Sequence, residues 1–191
     1  MIKFRMTLSG TAPLLMHNSR LANPLDPATK AVKRLTGKRK KTDEDHEEIA
    51  HLEFLGSLYL DSDVGPYVPG ENIGRCLVDA GRISKRGVLV TRGVFIETDV
   101  NPLAYDGPRD PEKLWADANY QLMASVKVGM QRTMRCRPMF RQWSADAEGT
   151  LDPNVLDFTD LADIAQTAGS MIGIGDWRPR YGRFQATLER L

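Results

Sequence analysis

Arginines, glycines and aromatics carry the most pointed chemistry in this chain, and they concentrate near its end. Positions 173–184 read Gly-Ile-Gly-Asp-Trp-Arg-Pro-Arg-Tyr-Gly-Arg-Phe. Glycine permits positive φ and the close approach of another backbone. Arg178, Arg180 and Arg183 offer fixed-geometry donors for phosphate, and Trp177 and Tyr181 offer flat faces for bases. The combination suits holding a nucleic-acid strand rather than making or breaking bonds.

Two other basic blocks point the same way. Between 127 and 141 there are five cations (Lys127, Arg132, Arg135, Arg137, Arg141) and no acid. On a strand Arg135 and Arg137 face the same way and could ladder along phosphates. The stretch 18–42 carries Arg20, Lys30, Lys33, Arg34, Lys38, Arg39, Lys40 and Lys41 against Asp26 alone. Such a block repels itself unless a polyanion orders it. Each block also has a plainer reading: a solvated sheet face, a solubilising loop, or, at 173–184, a turn that packs its own aromatics. Their coincidence favours single-stranded nucleic acid as the partner.

Other chemistries find less support. His46 and His51 are five apart, which separates them around a helix, whereas a zinc-protease pair needs spacing of four with a Glu inside. No metal and no other cofactor is expected. His17 could serve as a general acid or base, or as a turn residue; Asp26 and Asp106 are loop carboxylates. Gly173-Ile-Gly175 precedes a strand, whereas a dinucleotide fingerprint opens a helix, and no phosphate-loop motif is present. Cys76 and Cys136 lie in apolar patterns without ligand-spaced partners, which predicts two buried reduced thiols.

The elements that must position these groups follow from periodicity. Residues 2–9 alternate as a half-buried strand ended by Gly10, and 14–16 extend or restart it. The stretch 18–42 is expected to be irregular. Thr42 then caps a helix with an acidic first turn and a stripe of Ile49, Leu52, Leu55 and Leu58. A second helix covers 71–82, with Ile73, Cys76, Leu77 and Ala80 inward and Arg75 paired with Asp79 outside. Strands are expected over 88–100, 125–137, 140–151 and 183–190, and a helix over 157–168. A turn at 106–108 and a short helix at 114–119 interrupt the irregular 101–120.

With 191 residues, 41% hydrophobic and 27% charged, the chain suits one globular domain carrying insertions at about 18–42 and 101–137. A net charge of +1 supplies no global basic field, so any nucleic-acid groove must be local. The charged, alternating start is no signal peptide, and no apolar run reaches membrane-spanning length. A cytoplasmic protein without membrane partners is the expectation. The element order is a split β-α-β unit used twice. It predicts the α+β class: a ferredoxin-like (RRM-like) antiparallel sheet with helices on one face, plus insertions.

Two segments carry a resemblance. Pro-Tyr-Val-Pro-Gly-Glu-Asn-Ile-Gly-Arg at 66–75 resembles the entry to the first helix in the RAMP superfamily of CRISPR effector complexes. The stretch 173–184 resembles that superfamily's C-terminal glycine-rich loop, here in the form Arg-Tyr-Gly-Arg-Phe. The resemblance implies an RRM-like fold that binds single-stranded RNA through its backbone. Copies would self-associate into a helical filament or ring, with other effector-complex subunits as further partners. By position it implies phosphate contacts from Arg75, Arg178, Arg180 and Arg183, and a clamp from Lys38, Arg39, Lys40 and Lys41. It leaves room for a stand-alone phage-type single-stranded DNA binder, and for a ribonuclease using Asp26 or His17. An interaction protein docking its acidic 43–53 helix on a basic partner is a third reading. The acidic helix at 43–58 has no counterpart in the family.

Overall fold

The computed structural model describes residues 1–128 and 131–191, with the side chains of 127–132 outside the described set. In chain order the elements are β1 (Ile2–Gly10), β2 (Leu14–Leu15), a 3-10 turn (Ser19–Ala22), α1 (Pro27–Thr36) and α2 (Asp43–Ser57). Next come β3 (Leu60–Asp61), β4 (Gly65–Pro69), α3 (Gly70–Ile83), α4 (Gly87–Gly93), β5 (Val94–Ile96) and β6 (Val100–Pro102). The chain continues with α5 (Pro111–Ala116), β7 (Gln121–Val128), β8 (Gln131–Phe140) and β9 (Ser144–Leu151). It closes with α6 (Phe158–Thr167), a π turn (Ala168–Ile172) and β10 (Phe184–Arg190). The class is α+β with antiparallel sheets.

The chain divides into two compact units. The first comprises Met1–Leu14, Leu60–Asp106 and Phe140–Leu191; the second comprises Leu15–Tyr59 and Gly107–Met139. Both insertions expected from the sequence fall in the second unit, except for 101–106.

The first unit is built on a four-stranded sheet of order β10-β1-β9-β5, with every neighbouring pair antiparallel. Alternation in β1 sends Phe4, Met6 and Leu8 inward, each fully buried, while Lys3, Arg5 and Ser9 stay exposed on the other face. There Arg5 pairs with Glu148 at 2.8 Å and the Thr7 hydroxyl donates to Asp146 at 2.6 Å. α3 and α6 pack on each other, presenting Ile73, Cys76, Leu77 and Ala80 from one and Leu161, Ile164 and Ala165 from the other. A smaller sheet, β3-β4-β6, leads into α3.

The expected strand over 88–100 is a correction. Residues 87–93 form α4, and only 94–96 join the sheet. A Cβ on Gly81 would meet Val90 at 2.9 Å and Gly87 at 3.3 Å, so α4 lies directly against α3. That packing outweighs the β-branched composition of Val88-Leu-Val-Thr91.

The second unit corrects two more expectations. Residues 27–36, expected to be irregular, are helical. Asp26 accepts from the Ala28 N–H at 2.8 Å with Pro27 in the first turn, an N-terminal signal hidden by the lysines around it. α1 packs on α2, whose capping box is complete: Asp45 N–H donates to Thr42 Oγ1 and Thr42 N–H to Asp45. The expected strand over 125–137 is two strands, β7 and β8, paired antiparallel from Gln121↔Pro138 to Val128↔Gln131. Reversal changes the parity: Val126 sits opposite Thr133 and shares its face with Arg135, not with Met134. Period-two alternation alone does not reveal where a chain doubles back. Met130 lies outside the described residues.

Met6 lies at the middle of the doubly paired strand and is fully buried. Met6→Ala should lower the unfolding free energy by about 2–5 kcal/mol in urea titrations, while Lys3→Ala on the open face stays within about 0.5 kcal/mol of wild type.

Candidate functional site

The glycine-rich loop is clamped by its own backbone. Ile174 N–H donates to Gly182 C=O at 2.9 Å, Gly182 N–H to Pro13 C=O at 2.8 Å, and Gly173 N–H to Ala168 C=O at 2.8 Å. Gly173 and Gly182 adopt φ of 73° and 71°. A Cβ at Gly182 would collide with the Ile174 carbonyl, so only glycine fits. Trp177 also takes a positive φ, 53°, with its N–H on the Asp176 carboxylate at 3.0 Å. α3 supports the loop from beneath: Cys76 Sγ donates to the carbonyls of Gly173 (3.2 Å) and Ala168 (3.6 Å).

This scaffold buries Ile174 and leaves the loop's arginines outward. Arg178, Arg180 and Arg183 are exposed, and Trp177 and Tyr181 are half-buried with ring centroids 6.1 Å apart. Arg180 lies 5.6 Å from the Tyr181 ring centroid. Arg178 reaches the Gly173 carbonyl at 3.4 Å. Among the described residues none of the three arginines joins an ion pair. A cleft of about 610 Å³ runs along Trp177, Arg178 and Gly175, with Asp79 and Asp176 in its wall.

Several other expected site residues have carboxylate or carbonyl partners of their own. Arg75 donates to both oxygens of Asp79 (3.1 and 3.2 Å), and Arg82 shares that carboxylate at 2.9 Å. In the second unit Lys38 pairs with Asp45 at 2.6 Å. This contact, followed by the Thr42 N–H, holds the Asp45 carboxyl below its ordinary range. Arg20 donates to the carbonyls of Gly56 (3.0 Å) and Leu55 (2.8 Å), closing the C-terminal end of α2. Lys41 Nζ bonds the Lys38 carbonyl at 2.9 Å, and Arg39 and Lys40 are exposed. The side chains of Lys127 and Arg132 lie outside the described residues.

Arg135 and Arg137 share a face, as their spacing predicts, but that face turns into the second unit. Arg137 is only 9% exposed and donates to the Cys136 carbonyl at 3.2 Å. Arg135 is ion-paired with Glu53, whose other oxygen accepts from the Cys136 N–H at 3.2 Å. Glu53, 3% exposed, is a site residue that sequence reasoning misses. Its one signal is being the only acid between Ile49 and Leu60, a mainly apolar stretch. Of the groups that could serve catalysis, Asp26 caps α1, and His17 Nδ1 lies 3.5 Å from Ser57 Oγ.

Among the described residues no group of three or more His, Cys, Asp or Glu side chains could hold a metal ion, and no helix is long and apolar enough to cross a membrane. Both cysteines are free and buried. Burial pushes Cys76 up to about 12, against the pull of Arg178. Burial likewise pushes Cys136 up to about 11, with Glu53 adding to it and Arg137 opposing.

Gly182→Ala should destabilise the first unit by about 1–3 kcal/mol or more, measured by thermal unfolding, because strain and collision act together. Iodoacetamide at about pH 8 should leave the native thiols unlabelled and modify both after denaturation. The thiols' ordinary value is 9.0, so what their protonation adds to stability is complete below that pH and erodes as pH rises toward 11 and 12. In the comparison with known proteins, no family model matches the chain and no curated protein sequence resembles it significantly.

Proposed function

We propose that this protein holds single-stranded nucleic acid by its backbone, without cleaving it, and that its first unit is a ferredoxin-like fold of the RAMP type. The strand order β10-β1-β9-β5, met in the chain as strand-helix-strand-strand-helix-strand through α3 and α6, supports the fold reading. The two segments that carry the resemblance lie in one unit, and Asp79, the partner of Arg75, lines one cleft with Trp177 and Arg178 of the loop.

One observation carries the function. Among the described residues, three exposed arginines stand without acidic partners on a loop whose backbone is held from both ends. A guanidinium already paired with a carboxylate must exchange one anion for another; these need not. Preorganised donors bind phosphate with little ordering cost. Trp177 and Tyr181 beside them present faces on which bases stack without sequence preference.

RNA is the leading ligand and DNA the competing one. Copies assemble along the strand, and the protein acts in the cytoplasm, where free thiols such as Cys76 and Cys136 persist. A cleaving role is the weaker reading, since Asp26 is engaged as a helix cap.

Replacing Arg178, Arg180 and Arg183 together by Gln should reduce affinity for a labelled oligonucleotide by about a hundredfold or more in fluorescence anisotropy, with an unchanged far-UV spectrum. The slope of log K against log salt should flatten by about 2, at roughly 0.7 for each phosphate no longer neutralised. Trp177→Ala should cost about 1–3 kcal/mol of binding. Wild-type affinity in the triple variant rejects the assignment. Equal-length RNA and DNA in the same assay, with sedimentation velocity to detect growth along the strand, separate the two ligands and test assembly.

A further inference from the structure

Exposed apolar side chains gather at one place in the first unit. Ile83, Val88, Leu89 and Phe95, between the end of α3 and β5, are four of the twelve large hydrophobic side chains exposed among the described residues. Such a gathering marks a surface that meets another macromolecule, whereas single exposed apolar residues do not. Cations accompany it. Arg82 and Arg86 are paired with Asp79 and Asp160, but Lys85 and Arg92 are exposed and join no ion pair among the described residues. Val88 and Arg92 stand four residues apart on α4 and share a face.

The corner between α3 and α4 is also fixed in shape. Lys85 holds a φ of 60°, and Trp177 of the candidate site is the other non-glycine residue with positive φ among those described. The Lys85 N–H donates to the Arg82 carbonyl at 3.1 Å and the Arg86 N–H to the Gly81 carbonyl at 2.7 Å. Glycine would adopt that φ without strain, so a lysine there points to a use for its ammonium.

The second unit carries the complement. A cleft of about 680 Å³ among α2, α5 and β7 is lined by Glu44, Glu47, Glu48, Trp115 and Met123, and no lysine or arginine is among its described lining residues. Glu44 and Glu47 join no ion pair among the described residues, and Glu48 reaches Arg34 only at 3.8 Å. Trp115 is held in place by the His51 ring at 5.0 Å and the edge of Phe54 at 5.5 Å, while Met123 is exposed. Fixed aromatic and methionine surface beside free carboxylates is what an interface core with a charged rim requires.

We infer that the α3–α4 corner of one copy docks in the α2–α5–β7 cleft of a second copy. Lys85 and Arg92 meet the carboxylates, and Val88 and Leu89 meet Trp115 and Met123. Two different surfaces are joined, so the contact is heterologous and each copy in a pair keeps one corner and one cleft. A nucleic-acid strand would satisfy the cations of the corner but leave its apolar side chains unmatched. The contact rests on the assembly of copies proposed above and specifies its surfaces, but it needs no strand to form.

Sedimentation velocity of the full chain without nucleic acid tests this. The wild-type protein should self-associate between about 10 and 200 μM, and raising salt from about 0.05 to 0.5 M should weaken the association. A cleft variant, Glu44→Gln with Glu47→Gln, and a corner variant, Lys85→Gln with Val88→Ser, should each weaken it at least about fivefold. All four residues are exposed, so both variants should fold. Mixed together, the two variants should form a one-to-one pair that grows no further, because the first keeps an intact corner and the second an intact cleft. A wild-type chain that stays monomeric, wild-type association by either variant, or no pair in the mixture overturns the contact. Loss of oligonucleotide affinity in the corner variant, with the wild type monomeric, assigns the corner to nucleic acid and likewise overturns it. The triple arginine variant of the glycine-rich loop should self-associate as wild type does, so failure of the loop assignment and failure of this one give different results.

Discussion

β1 is hydrogen-bonded along nearly its whole length on both sides, to β9 from Ile2↔Leu151 to Ser9↔Ser144 and to β10 from Phe4↔Arg190 to Gly10↔Phe184. A strand paired on both edges has no freedom of register, because a slip of one residue would turn Phe4, Met6 and Leu8 into water. That constraint reaches the candidate site directly. The residues just after β1 hold the loop: Thr11 and Ala12 N–H both donate to the Arg183 carbonyl, and Pro13 accepts the Gly182 N–H. The loop's arginines therefore stand where the central strand ends, on backbone that cannot drift without breaking the sheet.

Pairing, rather than abundance, separates the cations. Arg5, Arg75, Arg82, Arg86, Lys38 and Arg135 each have a carboxylate partner. They lend their charge to the fold, modestly so where the pair is exposed. Arg178, Arg180 and Arg183 do not, and neither do Arg39 and Lys40 among the described residues. The near-neutral total of +1 thus conceals an uneven arrangement, in which some cations are locally cancelled by a carboxylate and others are displayed.

The second unit follows a different logic. Its α1 and α2 are defined by their caps, Asp26 and the Thr42–Asp45 box, and its interior keeps ionised groups rather than excluding them. Glu53 and Arg137 are both nearly inaccessible. Removing either member of the Glu53–Arg135 pair would strand a charge, which is far costlier than losing an exposed pair. Through that pair and the Cys136 N–H, Glu53 ties α2 to β8.

Elements whose signals are local were legible in the chain alone. β1, α2 with its cap, α3 with its Arg75–Asp79 pair, α6 and β10 belong here, because periodicity and capping act within one or two turns. The glycines of 173–182 likewise announced a loop with positive φ. α1 was obscured by its lysines, α4 by its β-branched residues, and the β7–β8 reversal by an alternation that survives a change of direction. Folding in three dimensions, and nothing short of it, selects which arginines meet an acid, sets Glu53 beside Arg135, and turns Arg137 inward. Partners of that kind come from segments up to 143 residues away, as for Arg5 and Glu148, and electrostatic pairing across such separations leaves no periodic trace in the chain.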